Sequence, residues 1–217
     1  MTKTKIMQIA IGVLFVLYAY NWISSDIAEK VIAEEITGVV VEEKTGKPVA
    51  NAIVAIRFER YNTGHGSPSC FRAVATESDE NGRYRFEPWT QEKTLANSFL
   101  GEIIAYKKGY GISRQNPEYI RHEPRELLGI RYRNTLHLPK TERKVVVKEW
   151  AGVEEDRMDS LIKTVGDFNC GPTEQNNAKL LALAIRNEIL VSPLAKIRSR
   201  DSSFTPLRWI NEYVEKH

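Results

Sequence analysis

The chain is poor in the residues that build metal and redox sites. Its 217 residues include two cysteines, Cys70 and Cys170, and four histidines, His65, His122, His137 and His217. The cysteines form no C-x-x-C pair and the histidines show no ligand spacing, which argues against zinc or thioredoxin-like chemistry. No metal and no cofactor is expected. Charge of one sign is also scarce: 31 basic against 28 acidic residues leave a formal +3, too slight an excess to point to nucleic acid. No Ser/His/Asp, Cys/His/Asn or paired-carboxylate set stands at a credible spacing for catalysis. With 42% apolar and 27% charged residues, wholesale disorder is excluded. The length suits one sizeable domain with an accessory one, or two small ones.

One long hydrophobic run is present. Ile6–Ile23 is apolar apart from Gln8 and Asn21, with Lys3 and Lys5 before it and Asp26 and Glu29 after it. Basic residues ahead of such a run and acids behind it favour an N-terminus kept in the cytoplasm and export of everything that follows. A cleaved signal peptide and an uncleaved anchor compete. The run exceeds the roughly 7–15 residues of a signal core and approaches the ~18 that span a bilayer. A small-x-small cleavage site is missing, because Leu17 and Ile23 stand where small residues are needed ahead of Ala19 and Ser25. No cysteine adjoins the run, which excludes a lipoprotein. The pattern favours an anchor over residues 1–25 and a short helical stalk over residues 26–35.

From Ile36 onward the chain is a succession of short β-rich runs separated by Gly, Pro, Asn and Asp. Thr37–Val41 is β-branched, and Gly38 within it marks a bulge or a close backbone approach. Lys44-Thr-Gly-Lys-Pro48 makes a turn. Ala52, Val54, Ile56 and Phe58 then share one face of a strand, with Ile53, Ala55 and Arg57 on the other, as in a half-buried strand. Ala73–Thr76 is a short third strand. Asp79-Glu-Asn-Gly82 turns into Arg83–Phe86, where Tyr84 and Phe86 face one side. Glu102–Lys107 and Asn134–Leu138 follow, the latter closing before Pro139.

This order, with Gly38, Gly46, Pro48, Ala52, Val54, Asp79, Gly82, Tyr84, Phe86, Gly109 and Tyr110 as the best-fitting positions, resembles the carboxypeptidase regulatory-like domain over residues 36–139. The resemblance implies a seven-stranded antiparallel β-sandwich similar in fold to transthyretin. It further implies a folding or interaction module with no catalytic residues of its own. Two long insertions, Glu59–Arg72 and Gly111–Arg133, depart from the pattern, and loops of that length are usually functional or mobile. The first holds Tyr61 and His65 in an aromatic, Gly-rich and polar setting suited to a binding loop, or to a tethered surface loop. The second holds Arg114, Arg121, Arg125, Arg131 and Arg133 among acids. An anion site or a self-paired, solvated surface both fit. Tyr61, His65, Arg114 and Arg121 are the candidate binding residues.

Residues 140–217 read as helical. Met158, Leu161, Ile162 and Val165 make one amphipathic face. A second helix spans Glu174–Leu190, with Asn187 and Glu188 on its wet side and Ser192-Pro193 ending it. A third starts at Thr205-Pro206 and buries Leu207, Ile210, Tyr213 and Val214. Between the first two, Phe168-Asn-Cys-Gly-Pro-Thr173 resembles the nucleophile segment of papain-like peptidases of the bacteriocin-processing type. A cysteine at a helix start gains thiolate character. Such peptidases also need a downstream histidine, and only His217 follows. The competing use of Cys170 is a disulfide to Cys70, closing a loop of about 100 residues for which the chain-entropy model gives up to roughly 4–5 kcal/mol. The sequence thus favours a membrane-anchored, extracytoplasmic binding or assembly module with a protein or cell-envelope partner. A degenerate or unrecognised hydrolase around Cys170 is the alternative.

Overall fold

The computed structural model describes Gln8 and residues 11–18, 28–61, 69–96, 98–115, 118–121, 125–127, 130–132, 135–138, 140–168, 170, 176–192, 210–211 and 214–215. The strands are β1 (Ala28–Ala33), β2 (Ile36–Glu42), β3 (Ile53–Tyr61), β4 (Ser69–Glu77), β5 (Arg83–Phe86), β6 (Trp89–Ala96), β7 (Ser98–Tyr106), β8 (Ser113–Arg114) and β9 (Glu118–Arg121). They continue as β10 (Arg125–Leu127), β11 (Ile130–Tyr132), β12 (Thr135–Leu138), β13 (Thr141–Val147) and β14 (Asn176–Asn177). The helices are α1 (Glu154–Asp167) and α2 (Lys179–Val191).

The first sheet is built from two three-stranded runs, β12-β1-β6 and β13-β2-β5. They behave as one sheet with a shared kink. Ala33 pairs with Leu138 and Trp89, and Ile36 pairs with Thr141 and Phe86, so the register passes the break unchanged. Only the facing slips. Val31 and Ala33 point into the core, and three residues on Ile36 does so too, with Val40. Phe86 and Trp89 are offset in the same way. Glu35 sits at the kink, bound by Lys140 at 3.0 Å and Arg85 at 2.8 Å. The Lys140 hydrogen bond, with the Arg85 charge behind it, holds the Glu35 carboxyl below its usual range.

The second sheet runs β14-β4-β3-β7-β8, with β9 also on β7. Val54, Ile56 and Phe58 of β3 face the first sheet and pack with Val40, Tyr84, Phe86, Val145 and Val147. Ile53 and Ala55 face the other way, into a second core with Met158, Leu161 and Val165 of α1 and Leu181, Ile185 and Ile189 of α2. The result is a β-sandwich with a helical layer on one outer face, each layer burying an apolar surface it could not leave in water. Gly38 lies where the first sheet has no room for a side chain: a Cβ there would strike the Arg143 carbonyl and the Tyr84 ring. The Tyr84 hydroxyl donates to that carbonyl at 3.2 Å. Burial pushes the Tyr84 phenol up to about 12, so it remains a donor across the ordinary pH range.

Several expectations are corrected. Residues 28–33 form a strand, not part of a helical stalk, because their apolar positions complete the first sheet. The sandwich is mixed, not purely antiparallel: β12 and β13 run parallel to β1 and β2. That parallel pairing is possible because the chain crosses the second sheet between them. β13 lies beyond Pro139, inside the region read as helical, and the β-branched run Val145–Val147 supplies its core residues. β3 is buried on both faces rather than one. The two ends of the Glu59–Arg72 insertion are strand, residues 59–61 in β3 and 69–72 in β4, so that Cys70 lies in β4, while residues 62–68 lie outside the described residues. α2 begins at Lys179, while Glu174 lies outside the described residues. Its Glu188, placed on the wet side by its charge, is buried, whereas Asn187 is exposed. Ile210 and Val214 are helical and pack on the second core, but Leu207 and Tyr213 lie outside the described residues.

Of the apolar run Ile6–Ile23, Gln8 and residues 11–18 are described, all helical and exposed. Among the described residues no helix is long and apolar enough to cross a membrane.

Candidate functional site: the open edge between β8 and β13

A sandwich has two open sides, where edge strands of the two sheets face each other without pairing. On one of them β8 and β13 flank a cavity of about 310 Å³ lined by Ile112, Ser113, Val146, Lys148, Trp150 and Ala151, among others. The segments just before β8 and just after β13 close it. Tyr110 and Glu149 form an isolated antiparallel bridge, and the Trp150 N–H donates to the Gly109 carbonyl at 3.1 Å. The Trp150 indole N–H donates to Val153 O at 3.0 Å, which fixes the ring. Glycines let the backbone come close to that ring: a Cβ on Gly111 would lie 3.2 Å from it, and one on Gly152 2.9 Å.

The charges at the rim are paired within the protein. Glu149 binds Lys44 at 2.6 Å and Lys148 binds Glu43 at 3.3 Å. The Glu149 hydrogen bond raises the Lys44 ammonium above its usual value. The cavity therefore presents an apolar wall, a hydroxyl from Ser113 and backbone groups, and among the described residues its rim charges Glu149 and Lys148 are each paired. That arrangement suits binding of a neutral group.

Of the sequence-predicted site residues, the described three, Tyr61, Arg114 and Arg121, do not all lie together. Tyr61 and Arg121 lie at one level, both opposite Ser98 of β7. Arg114 lies opposite Ile104, about 20 Å further along the strand at ~3.4 Å per residue. His65 lies outside the described residues. Arg114 is occupied structurally: it binds Glu102 at 2.8 Å, Asp167 at 2.9 Å and the Thr164 hydroxyl at 3.2 Å. Burial opposes its charge, but the hydrogen bonds to Glu102 and Asp167 outweigh that and raise its pKa. Arg57 works beside it, donating to the Asp167 carbonyl at 2.7 Å and binding Glu59 and Glu102 at 3.0 Å each. A cation at the C-terminal carbonyls of α1 is favourably placed against the helix dipole. These two arginines bolt α1 to the second sheet.

A buried polar cluster holds the other part of the helical layer. The Glu188 carboxylate accepts from the Tyr106 hydroxyl and, at 2.5 Å, from Arg157 Nη2. Arg157 also makes a two-pronged contact with Glu154, at 2.8 and 2.9 Å. Burial and the Glu188 hydrogen bond push the Tyr106 phenol well above its ordinary value. The Glu154 hydrogen bond, aided by Glu188, raises Arg157 in spite of its burial.

Cys70 and Cys170 form a disulfide with Cα atoms 5.0 Å apart, joining β4 to the segment after α1. Cys170 therefore offers no thiol. Cys70→Ser and Cys170→Ser are each expected to lose about 2–4 kcal/mol of stability. The two losses should be similar and should not add in the double variant, since each removes the same bond. Denaturant titration under non-reducing conditions checks this, and unequal or additive losses would contradict a shared bond.

Sequence reasoning missed Trp150 and Val146. The β-branched run at Val145–Val147 was a readable strand signal, but the closure of the cavity depends on pairing across distant residues. No family model matches the chain, and no curated protein matches it. Among solved structures, it is similar to the 3-chlorocatechol 1,2-dioxygenase of Rhodococcus opacus 1CP at 13% identity and a TM-score of 0.31, over 57% of this chain and 61% of that one. It is similar to an alternative pilotin from the type II secretion system of Vibrio cholerae at 12% identity and 0.32, over 56% of this chain and 99% of the pilotin. The shaft pilin SpaA of Lactobacillus rhamnosus GG aligns at 11% identity and 0.29, over 55% of this chain and 47% of the pilin. The chain thus spans about three fifths of the dioxygenase's length, and at such TM-scores none of these likenesses bears on function.

Proposed function

We propose that this chain is a membrane-anchored, extracytoplasmic binding or assembly module, non-catalytic, built on a sandwich of the carboxypeptidase regulatory-like type. The observation that carries the reading is the Cys70–Cys170 disulfide. Disulfides persist in oxidising compartments, which supports export of the sandwich. The same bond consumes the thiol that a cysteine-peptidase reading needs, so the hydrolase alternative loses its nucleophile. Anchoring is supported by the helical residues 11–18, where Ile11, Val13, Leu14, Phe15, Val16, Leu17 and Tyr18 are all exposed. A helix that is apolar all round is at home in lipid or in a large core, not in water. The partner is a protein or another envelope component, engaged through the edge between β8 and β13.

Intact-mass measurement of the chain from membranes, with thiols trapped before lysis, tests this. The expected species keeps the Ile6–Ile23 run and is two hydrogens lighter than the reduced chain. A soluble species beginning near Asp26 would overturn the anchor, and two trapped thiols would overturn the exported, oxidised state.

A further inference from the structure

The cavity beside β13 lies at a gap in the backbone hydrogen bonding. Lys144 and Lys148 turn their carbonyls toward β8, and both are taken. Gln115 Nε2 donates to Lys144 O at 2.9 Å, and the Gly111 N–H donates to Lys148 O at 2.9 Å. Val147 turns the other way and accepts from the Glu43 N–H at 2.8 Å, beyond the end of β2. Along a strand, successive residues direct their N–H and C=O to opposite sides. Val146 therefore directs both groups toward β8, with Lys144 and Lys148. Among the described residues, no backbone bond joins Val146 to β8.

We propose that this gap recognises one residue of a neutral, extended peptide segment of a partner protein, whose amide pairs with the Val146 backbone while its apolar side chain enters the cavity against Trp150. The proposal rests on the binding-module reading and gives that reading its ligand class. One residue is the limit, because the carbonyls on either side of Val146 are already bonded and a full added strand would have to displace them. Neutrality follows from the rim, where Lys44 satisfies Glu149 and Glu43 satisfies Lys148. The size agrees: about 310 Å³ is at the small end of ligand cavities, roughly 300–1,000 Å³, enough for a side chain with its amide.

The test is a ¹⁵N–¹H titration of the full chain, in detergent, with N-acetyl-leucinamide. Saturable shifts are expected at the amides of Val146, Gly111 and Gly152. A single residue should bind with a Kd of roughly 1 mM. Val146→Pro removes the N–H that faces away from β2, a substitution an edge strand tolerates. Ala151→Phe fills the cavity and leaves the backbone alone, so it serves if the proline variant fails to fold. Each is expected to weaken the probe by about tenfold or more. Benzene, which lacks an amide, should bind more weakly than the amide probe and be indifferent to Val146→Pro. The proposal is overturned if no saturable shift occurs at these amides, if both variants bind the probe as the parent does, or if benzene binds equally well. Those outcomes leave the oxidised thiols and the membrane fraction standing. Free thiols or a soluble, cleaved chain would sink the broader reading alone.

Discussion

Val54→Asp is expected to abolish the cooperative thermal transition. Val54 is fully buried between the two sheets and pairs on one side with Thr76 of β4 and on the other with Ala105 of β7. Its neighbours on the same face, Ile56 and Phe58, and the opposing Val40 and Val145 offer no hydrogen-bond partner for a carboxyl. An unpaired buried carboxylate costs several kcal/mol, and neutralising it by protonation still leaves a polar group without partners. Loss of the valine's own burial adds about 2 kcal/mol. Against a total stability of about 5–15 kcal/mol, that is enough to unfold a domain of ordinary stability. Val191→Asp, at an exposed site at the C-terminal end of α2, should cost no more than about 1 kcal/mol, the unfavourable helix dipole included. Circular dichroism melts of both variants check the pair of expectations. An unchanged melt for Val54→Asp would mean that β3 faces its layers differently.

The alternation that fixes Val54 was legible because it is local. Val54, Ile56 and Phe58 on one face, and Ile53 and Ala55 on the other, follow from a period of two, and the α1 stripe of Met158, Leu161 and Val165 follows from 3.6. β1 was not legible for a definite reason. Its inward positions are Val31 and Ala33 and those of β2 are Ile36 and Val40, so the alternation slips at Glu34–Glu35 and no single period covers both strands. β13 hid behind Thr141-Glu-Arg-Lys144, whose polar residues mask the three valines that follow. The parallel pairing of β13 with β2 is a relation between residues about a hundred apart, and no local pattern encodes it. The candidate site suffers most from this, since Val146, Gly111 and Trp150 meet only after both sheets have closed. The disulfide was the exception, because two cysteines permit only one intrachain pair.

Glu188 was misread for a related reason: its charge suggested water, although its spacing did not. It falls three residues after Ile185 and next to Ile189, on the stripe that Leu181 and Ala182 also occupy. Arg157 lies four residues before Leu161, on the matching stripe of α1. The pair is therefore expected to behave as one unit. Glu188→Leu leaves the Arg157 guanidinium with only the half-exposed Glu154 and deprives the Tyr106 hydroxyl of its carboxylate acceptor. Breaking a buried pair in this way costs about 3–5 kcal/mol, whereas replacing both partners by apolar residues is often close to neutral. Arg157→Met combined with Glu188→Leu should therefore recover most of the loss and lie within about 2 kcal/mol of the parent, since the Tyr106 hydroxyl keeps the Ala184 carbonyl as an acceptor at 3.5 Å. A double-mutant cycle by denaturant titration measures this as a coupling of about 2 kcal/mol or more. Additive losses would mean that the two helices do not present these side chains to each other. Strong coupling would require α1 and α2 to sit together on the outer face of the second sheet, because Tyr106, Arg157 and Glu188 belong to three different elements and meet only there.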